Sequence, residues 1–211
     1  MGREVKRRYD ASGRQEAARA TRRAILDAAA ETFTTRGYAA TTMTQVAERA
    51  GVAVDTVYAA VGRKPALFLE LVETAISGGD EAIPARSRAY VTAMRAEPDA
   101  ARKLEIYALA IREIHSRLAP LLRIAQAAAQ PEIEEVWQAI ARRRAENMRE
   151  LAGDLASTGQ LRPELSLDEV ADVIWATNSP EFYCLLVEDR GWEPERFEHW
   201  LADSWCRLLL A

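Results

Sequence analysis

Between Thr41 and Lys64 the chain gathers side chains able to exchange hydrogen bonds or charge with a polyanion: Thr42, Thr44, Asp55, Thr56, Tyr58 and Lys64. Hydroxyls and an ammonium group donate to phosphate oxygens, the contacts that fix a protein's register on a duplex. Asp55 can accept from cytosine N4, Thr56 can join a hydrogen bond at a base edge, and Val54 and Ala59 can meet thymine methyls. Each residue also has a structural reading. Thr42 can serve only as a helix cap, Tyr58 as a packing aromatic with a wet hydroxyl, and Asp55 as a partner for a helix dipole.

The elements that would position these groups are written in the same stretch, TTMTQVAERAGVAVDTVYAAVGRK. Thr42 and Gln45 have the spacing of a capping box, in which each side chain satisfies the other residue's free backbone N–H. Ala47 and Gly51 stand where two helices must approach and turn, and Val57 faces back to close the angle. This pattern is a helix-turn-helix signature, whose usual work is placing the second helix in a major groove. An alanine-rich helical corner with no nucleic-acid role has similar features, so the surroundings matter. Residues 1–64 hold 12 Lys/Arg against 7 Asp/Glu, a net of +5, whereas residues 65–211 hold 16 against 25, a net of −9. Basic charge thus collects around the corner, where phosphates would be met.

In chain order, residues 1–14 carry Arg3, Lys6, Arg7, Arg8 and Arg14 without an apolar period. They read as a flexible basic arm, either a solvated tail or a segment in which Arg7 and Arg8 track phosphates or enter a minor groove. Ile25, Leu26, Ala29 and Phe33 recur at helical spacing from Gln15 to about Thr35, with Gly37 placed to stop that helix. Val54 to about Ala60 is the third helix, and Pro65 opens a fourth through Ile76. Further helices are expected around Ser87–Arg95, from Pro98 to Leu118, over Leu121–Ala129 after a break at Pro120, from Pro131 to Ser157, from Ser166 or Asp168 to Glu188, and from Pro194 to the end. No strand or hairpin signal is present, so the fold class is all-α. The expected division is residues 1–14 as arm, 15–64 as a three-helix helix-turn-helix domain, and 65–211 as a larger helical domain.

Several fixed offsets agree at once: Phe33 followed by Arg36, Gly37 and Tyr38; Thr41 and Thr42; Val46, Ala47, Ala50, Gly51 and Val52; then Thr56, Tyr58, Gly62, Lys64, Leu67 and Phe68. On these, residues 21–72 resemble the TetR family of bacterial transcriptional regulators. The resemblance implies a DNA-binding regulator, commonly a repressor, that binds a palindromic operator as a homodimer and is released or reset by a small molecule held in the C-terminal domain. Departures stand beside it. The family commonly has serine at Ala53, lysine at Val54, a polar or aromatic residue at Ala59, an aromatic at Ala60, and phenylalanine at Val61. The second reading is therefore a helical ligand-binding dimer whose DNA-binding unit has degenerated.

Polar or amphipathic groups at apolar helix positions are the candidate ligand contacts: Tyr107, His115, Trp137, Asn147, Trp175, Asn178 and Tyr183. Pro180 interrupts its helix and frees carbonyls, with Ser179 able to cap a restarted helix. Cys184, Val187, Phe197, Trp200 and Trp205, on C-terminal helices apolar on more than one face, are the candidate dimer contacts. No glycine-rich phosphate loop or HExxH motif occurs, and His115 and His199 lack a companion at ligand spacing, which argues against an enzyme, a metal site or a cofactor. Cys184 and Cys206 are expected as buried free thiols. No apolar run reaches bilayer length and no hydrophobic signal core precedes the corner, so the expectation is a cytoplasmic protein.

Overall fold

The structure, a computed structural model, describes residues 2–211, with side chains from residue 13 onward. Its helices are α1 (Gly2–Ala40), α2 (Met43–Ala50), α3 (Val54–Val61), α4 (Lys64–Ser77), α5 (Ala89–Ala96), α6 (Ala100–Ala128), α7 (Pro131–Ala156), α8 (Leu167–Thr177), α9 (Pro180–Tyr183) and α10 (Pro194–Leu209). Among the described residues there is no strand, and an isolated antiparallel bridge joins Leu161 to Leu210. The chain divides into two compact units, residues 1–71 with 124–129, and residues 72–123 with 130–211.

In the first unit α1 begins at Gly2, so from residue 2 onward it takes in the segment read as a basic arm. The side chains of Arg7 and Arg8 lie outside the described residues. Gly37, at φ 77°, is the break foreseen for this helix, and Tyr38 folds back beyond it onto the core. Phe33, Tyr38 and Phe68 pack as an aromatic trio with ring centroids 5.4–6.0 Å apart. The capping box at the start of α2 forms as read, with Thr42 Oγ1 accepting from Gln45 N at 3.2 Å and Gln45 Oε1 accepting from Thr42 N at 3.0 Å. Gly51 adopts φ 68°, ψ 31°, and the N–H groups of Gly51 and Val52 return to Glu48 O and Ala47 O. That pair of bonds is a Schellman turn, which a residue with a Cβ adopts only under strain. Val46, Ala47, Val57 and Val61 are buried in the angle so made.

The second unit closes α5 to α10 and the end of α4 around an apolar core that includes Leu104, Leu155, Ile174, Phe197, Leu201 and Trp205. Lys103 is buried within it and donates to Met94 O at 2.8 Å and to Asp154 at 2.7 Å, tying α5 and α7 to α6. Pro120 does not break its helix; α6 runs through it. Burial of Leu118, Ala119, Leu121 and Leu122 holds both halves in line and offsets the one hydrogen bond that proline removes. The helix expected from Ser166 to Glu188 is instead divided. Ser166 caps α8 through a capping box, α8 ends at Asn178, and Ser179 Oγ accepts from Phe182 N to start α9, which passes into a π-helical stretch over Cys184–Glu188.

Candidate functional site

The α3 surface follows from its period. Val57 and Val61 are buried, which turns Asp55, Thr56, Tyr58 and Ala59 outward and leaves Val54 half-buried. Thr42 and Thr44 are exposed beside them on the first turns of α2. Asp55 lies in the first turn of α3, where a carboxylate also favours the helix dipole. Ala53 supplies no side-chain cap at that end. Lys64 is differently placed from the phosphate contact expected. Its Nζ donates to Tyr38 O at 2.7 Å and Thr41 O at 2.9 Å and sits 4.3 Å from the Tyr38 ring centroid, so it ties together the end of α1 and the approach to α2. Sequence reasoning missed Arg22, which donates to Ala60 O and pairs with Glu70, holding the last turn of α3 against α1 and α4. Its long reach, across 38 residues of sequence, leaves no local spacing to read.

A cavity of about 140 Å³ opens in the second unit, lined by α4, α5, α6, α7, α9 and the 3-10 turn Ala85–Ser87. Ile76, Val91, Met94, Ile111, Ile114, Leu118 and Ile140 make its apolar wall, with Tyr90, Tyr107 and Trp137 as aromatic faces. Of the expected ligand contacts, Tyr107, Trp137 and Asn147 line this space, whereas His115, Trp175, Asn178 and Tyr183 do not.

Those four are drawn into the support behind the wall. Asn178 is fully buried; its Nδ2 donates to Tyr107 Oη at 2.6 Å and approaches Met148 Sδ at 3.1 Å, while its Oδ1 accepts from Arg144. His115 Nε2 lies 2.7 Å from Asn178 O, and because a carbonyl only accepts, Nε2 carries the proton and donates. Burial lowers the His115 pKa to about 4, so the ring is neutral near pH 7, with Nδ1 buried and unpartnered. Tyr183 Oη shares a hydrogen bond with Ser116 Oγ at 3.0 Å, and its ring meets that of His115 edge-on. Trp175 donates Nε1–H to Ala141 O and carries the Arg144 guanidinium 4.7 Å from its ring centroid.

Arg144 and Glu181 are wall residues that sequence reasoning passed over. Arg144 sits in the run Arg142–Arg144, which reads as a solvated charge cluster, yet it shares a helical stripe with Trp137, Ile140, Ala141, Met148 and Leu151. The 3.6-residue period was the available signal. Among the proposed dimer contacts, Cys184, Phe197 and Trp205 are core residues of their own unit, which corrects their assignment to an outward surface. Val187 and Trp200 are half-buried, and the large apolar groups left outward nearby are Trp175, Leu185 and Leu208. Cys184 and Cys206 are free thiols, the second only half-buried. Among the described residues no group of three or more His, Cys, Asp or Glu is placed to hold a metal ion, and no helix is long and apolar enough to cross a membrane.

Residues 25–71 match the family model described as bacterial regulatory proteins, tetR family. The first unit thus matches the DNA-binding unit of TetR-family regulators. The whole chain has the TetR-type fold, an N-terminal helix-turn-helix unit followed by a helical C-terminal unit. NalD, the secondary repressor of the MexAB-OprM multidrug efflux pump in Pseudomonas aeruginosa, matches with a TM-score of 0.70 at 23% identity, over 92% of this chain and 98% of that one. SmeT, the repressor of the Stenotrophomonas maltophilia efflux pump SmeDEF, matches at 0.67 and 19%, over 90% of each chain. A complex of SmeT with triclosan matches at 0.62 and 22%, over 91% and 92%. No curated protein matches the chain. Regulators of the TetR family bind DNA and are not enzymes.

Proposed function

We propose that this TetR-type chain is a ligand-responsive transcriptional repressor that binds a palindromic operator as a homodimer and is released by a small molecule in the cavity of its second unit. The observation carrying the DNA-binding half is the outward set Thr42, Thr44, Asp55, Thr56, Tyr58 and Ala59, with half-buried Val54 beside it, on two short helices whose buried faces hold their angle. A two-fold dimer would present two such helices to successive half-sites about one helical turn apart. An effector acts only through its differential affinity for DNA-competent and DNA-incompetent states. The repressor sense is supported by NalD and SmeT, both named as repressors.

A second reading, a ligand-binding helical dimer with a degenerate DNA-binding unit, is favoured by the uncapped start of α3 and by the small, apolar Val54 and Ala59 on its outward side. Random-site selection with the full chain separates the two. Enrichment of an inverted repeat, bound in a salt-dependent way, is the expected result. Selected pools with no common sequence would establish the second reading instead.

A further inference from the structure

The wall of the cavity carries five arginines, Arg86, Arg88, Arg95, Arg143 and Arg144, against Glu150, Asp154 and Glu181. Most of this charge is already matched. Glu150 accepts from Arg95 at 3.1 Å and lies 3.7 Å from Arg86, Arg143 pairs with Glu73, and Asp154 pairs with Lys103. Even after Lys103 and Glu73 are added, positive charge is in excess by two.

Arg144 is the exception in chemistry. Its Nη1 donates to two neutral oxygens, Trp175 O at 2.6 Å and Asn178 Oδ1, and its plane rests on the Trp175 ring. Among the described residues it has no carboxylate within ion-pair distance, and Nε and Nη2 have no acceptor. Burial lowers its pKa, the sign of a cation whose solvation is incompletely replaced. A planar guanidinium held on one edge by fixed oxygens presents its other N–H groups as a fork suited to a carboxylate. Glu181, the wall carboxylate whose charge acts on Arg144, accepts Trp137 Nε1–H at 3.0 Å, so one of its oxygens is engaged in holding that indole.

From this cavity we infer that the effector of this protein is a small amphipathic carboxylate, its acid group on Arg144 and its apolar body among Ile111, Ile114, Trp137 and Ile140. A space of about 140 Å³ suits an aromatic ring with a short tail. The inference rests on the cavity being the effector site, as proposed above. Lys103, the other buried cation nearby, is already engaged by Met94 O and Asp154.

The probes are 3-phenylpropionate, 3-phenylpropan-1-ol and 3-phenylpropylamine, which share a body and differ only in the charge of the head. Calorimetric titration into the full chain is expected to show the acid binding about tenfold or more tighter than the alcohol. Arg144→Met should bring acid and alcohol within about threefold of each other, and Arg144→Lys should restore part of the gap through its charge alone. The acid-to-alcohol ratio is internal to each variant, so a general loosening of α7 lowers both affinities and leaves the ratio standing. Glu181→Gln should not weaken the acid. Tightest binding by the amine, lost in Glu181→Gln, would overturn the proposal, as would equal affinity for acid and alcohol in the wild type. Either outcome leaves the cavity as an effector site, whereas binding of none of the three removes the cavity from both readings. Operator binding is measured apart from all of them.

Discussion

His115 and Asn178 show how a polar pair can be structural while sitting behind the wall of a cavity. Neutral His115 donates to the carbonyl that ends α8, and the Asn178 side chain reaches Tyr107, Met148 and Arg144 together. Protonating His115 would place a cation among groups that cannot solvate it, close to Arg144. In the unfolded chain the ring takes up its proton near pH 6.5, whereas in the fold it does so only near pH 4. The unfolded state therefore binds more protons between those values, and this contribution to stability, full above pH 6.5, is lost as pH falls towards 4. Between pH 7.5 and pH 5 the loss is about 2 kcal/mol. Urea unfolding of His115→Gln, which keeps a donor for Asn178 O and cannot ionise, should show an acid limb flatter by about that amount. Identical pH dependence in the two proteins would contradict the assignment.

At the scale of the element, α3 is short and lacks a side-chain cap at its start. It spans Val54–Val61, has no side-chain cap at Ala53, and depends on Val57 and Val61 for its burial and on Arg22 at Ala60 O for its last turn. Ala53 already has extended backbone angles, φ −69° and ψ 148°, as an N-cap residue requires. Ala53→Ser should therefore stabilise the first unit by about 1 kcal/mol through a bond to the free N–H groups of the first turn. Slower amide exchange across α3, with exchange in α7 unchanged, is the expected reading; faster exchange in α3 would show that the serine does not cap. The other helix boundaries divide by mechanism. Thr42, Ser166, Gly37 and Gly51 act locally, and their effects were legible from spacing. Pro120 was misread because the packing that carries α6 through it is contributed by residues remote in sequence.

For the whole molecule, the separation of charge is the feature with the largest reach. Residues 1–64 are net +5 and residues 65–211 net −9. Long-range attraction to DNA must therefore come from the first segment. Residues 1–14 contribute Arg3, Lys6, Arg7, Arg8 and Arg14 against Glu4 and Asp10. Since the outward face of α3 offers few donors, affinity should lean on this basic segment and on DNA shape. Deleting residues 1–14 is expected to weaken operator binding and to lower the slope of log K against log salt by about 0.9 for each phosphate contact removed. An unchanged slope would exclude the segment from the interface.

The helix-turn-helix unit was readable because its determinants are close in sequence. A capping box, a left-handed glycine and a 3.6-residue apolar period act within one or two turns, so their spacing specifies their geometry. All-α character and the sign of each segment's charge were determined in the same way. The cavity was not. Tyr107, Trp137 and Asn147 were recognisable as amphipathic residues on apolar stripes, but the same signal was carried by His115, Asn178 and Tyr183, which do not line it. Which of them meets a ligand depends on how α5 to α9 pack, a set of contacts between residues tens of positions apart. Arg144 makes the point most directly. Its sequence neighbours present it as one of three surface arginines, and only the packing of α7 against α8 brings it to Asn178 and to the wall of the cavity.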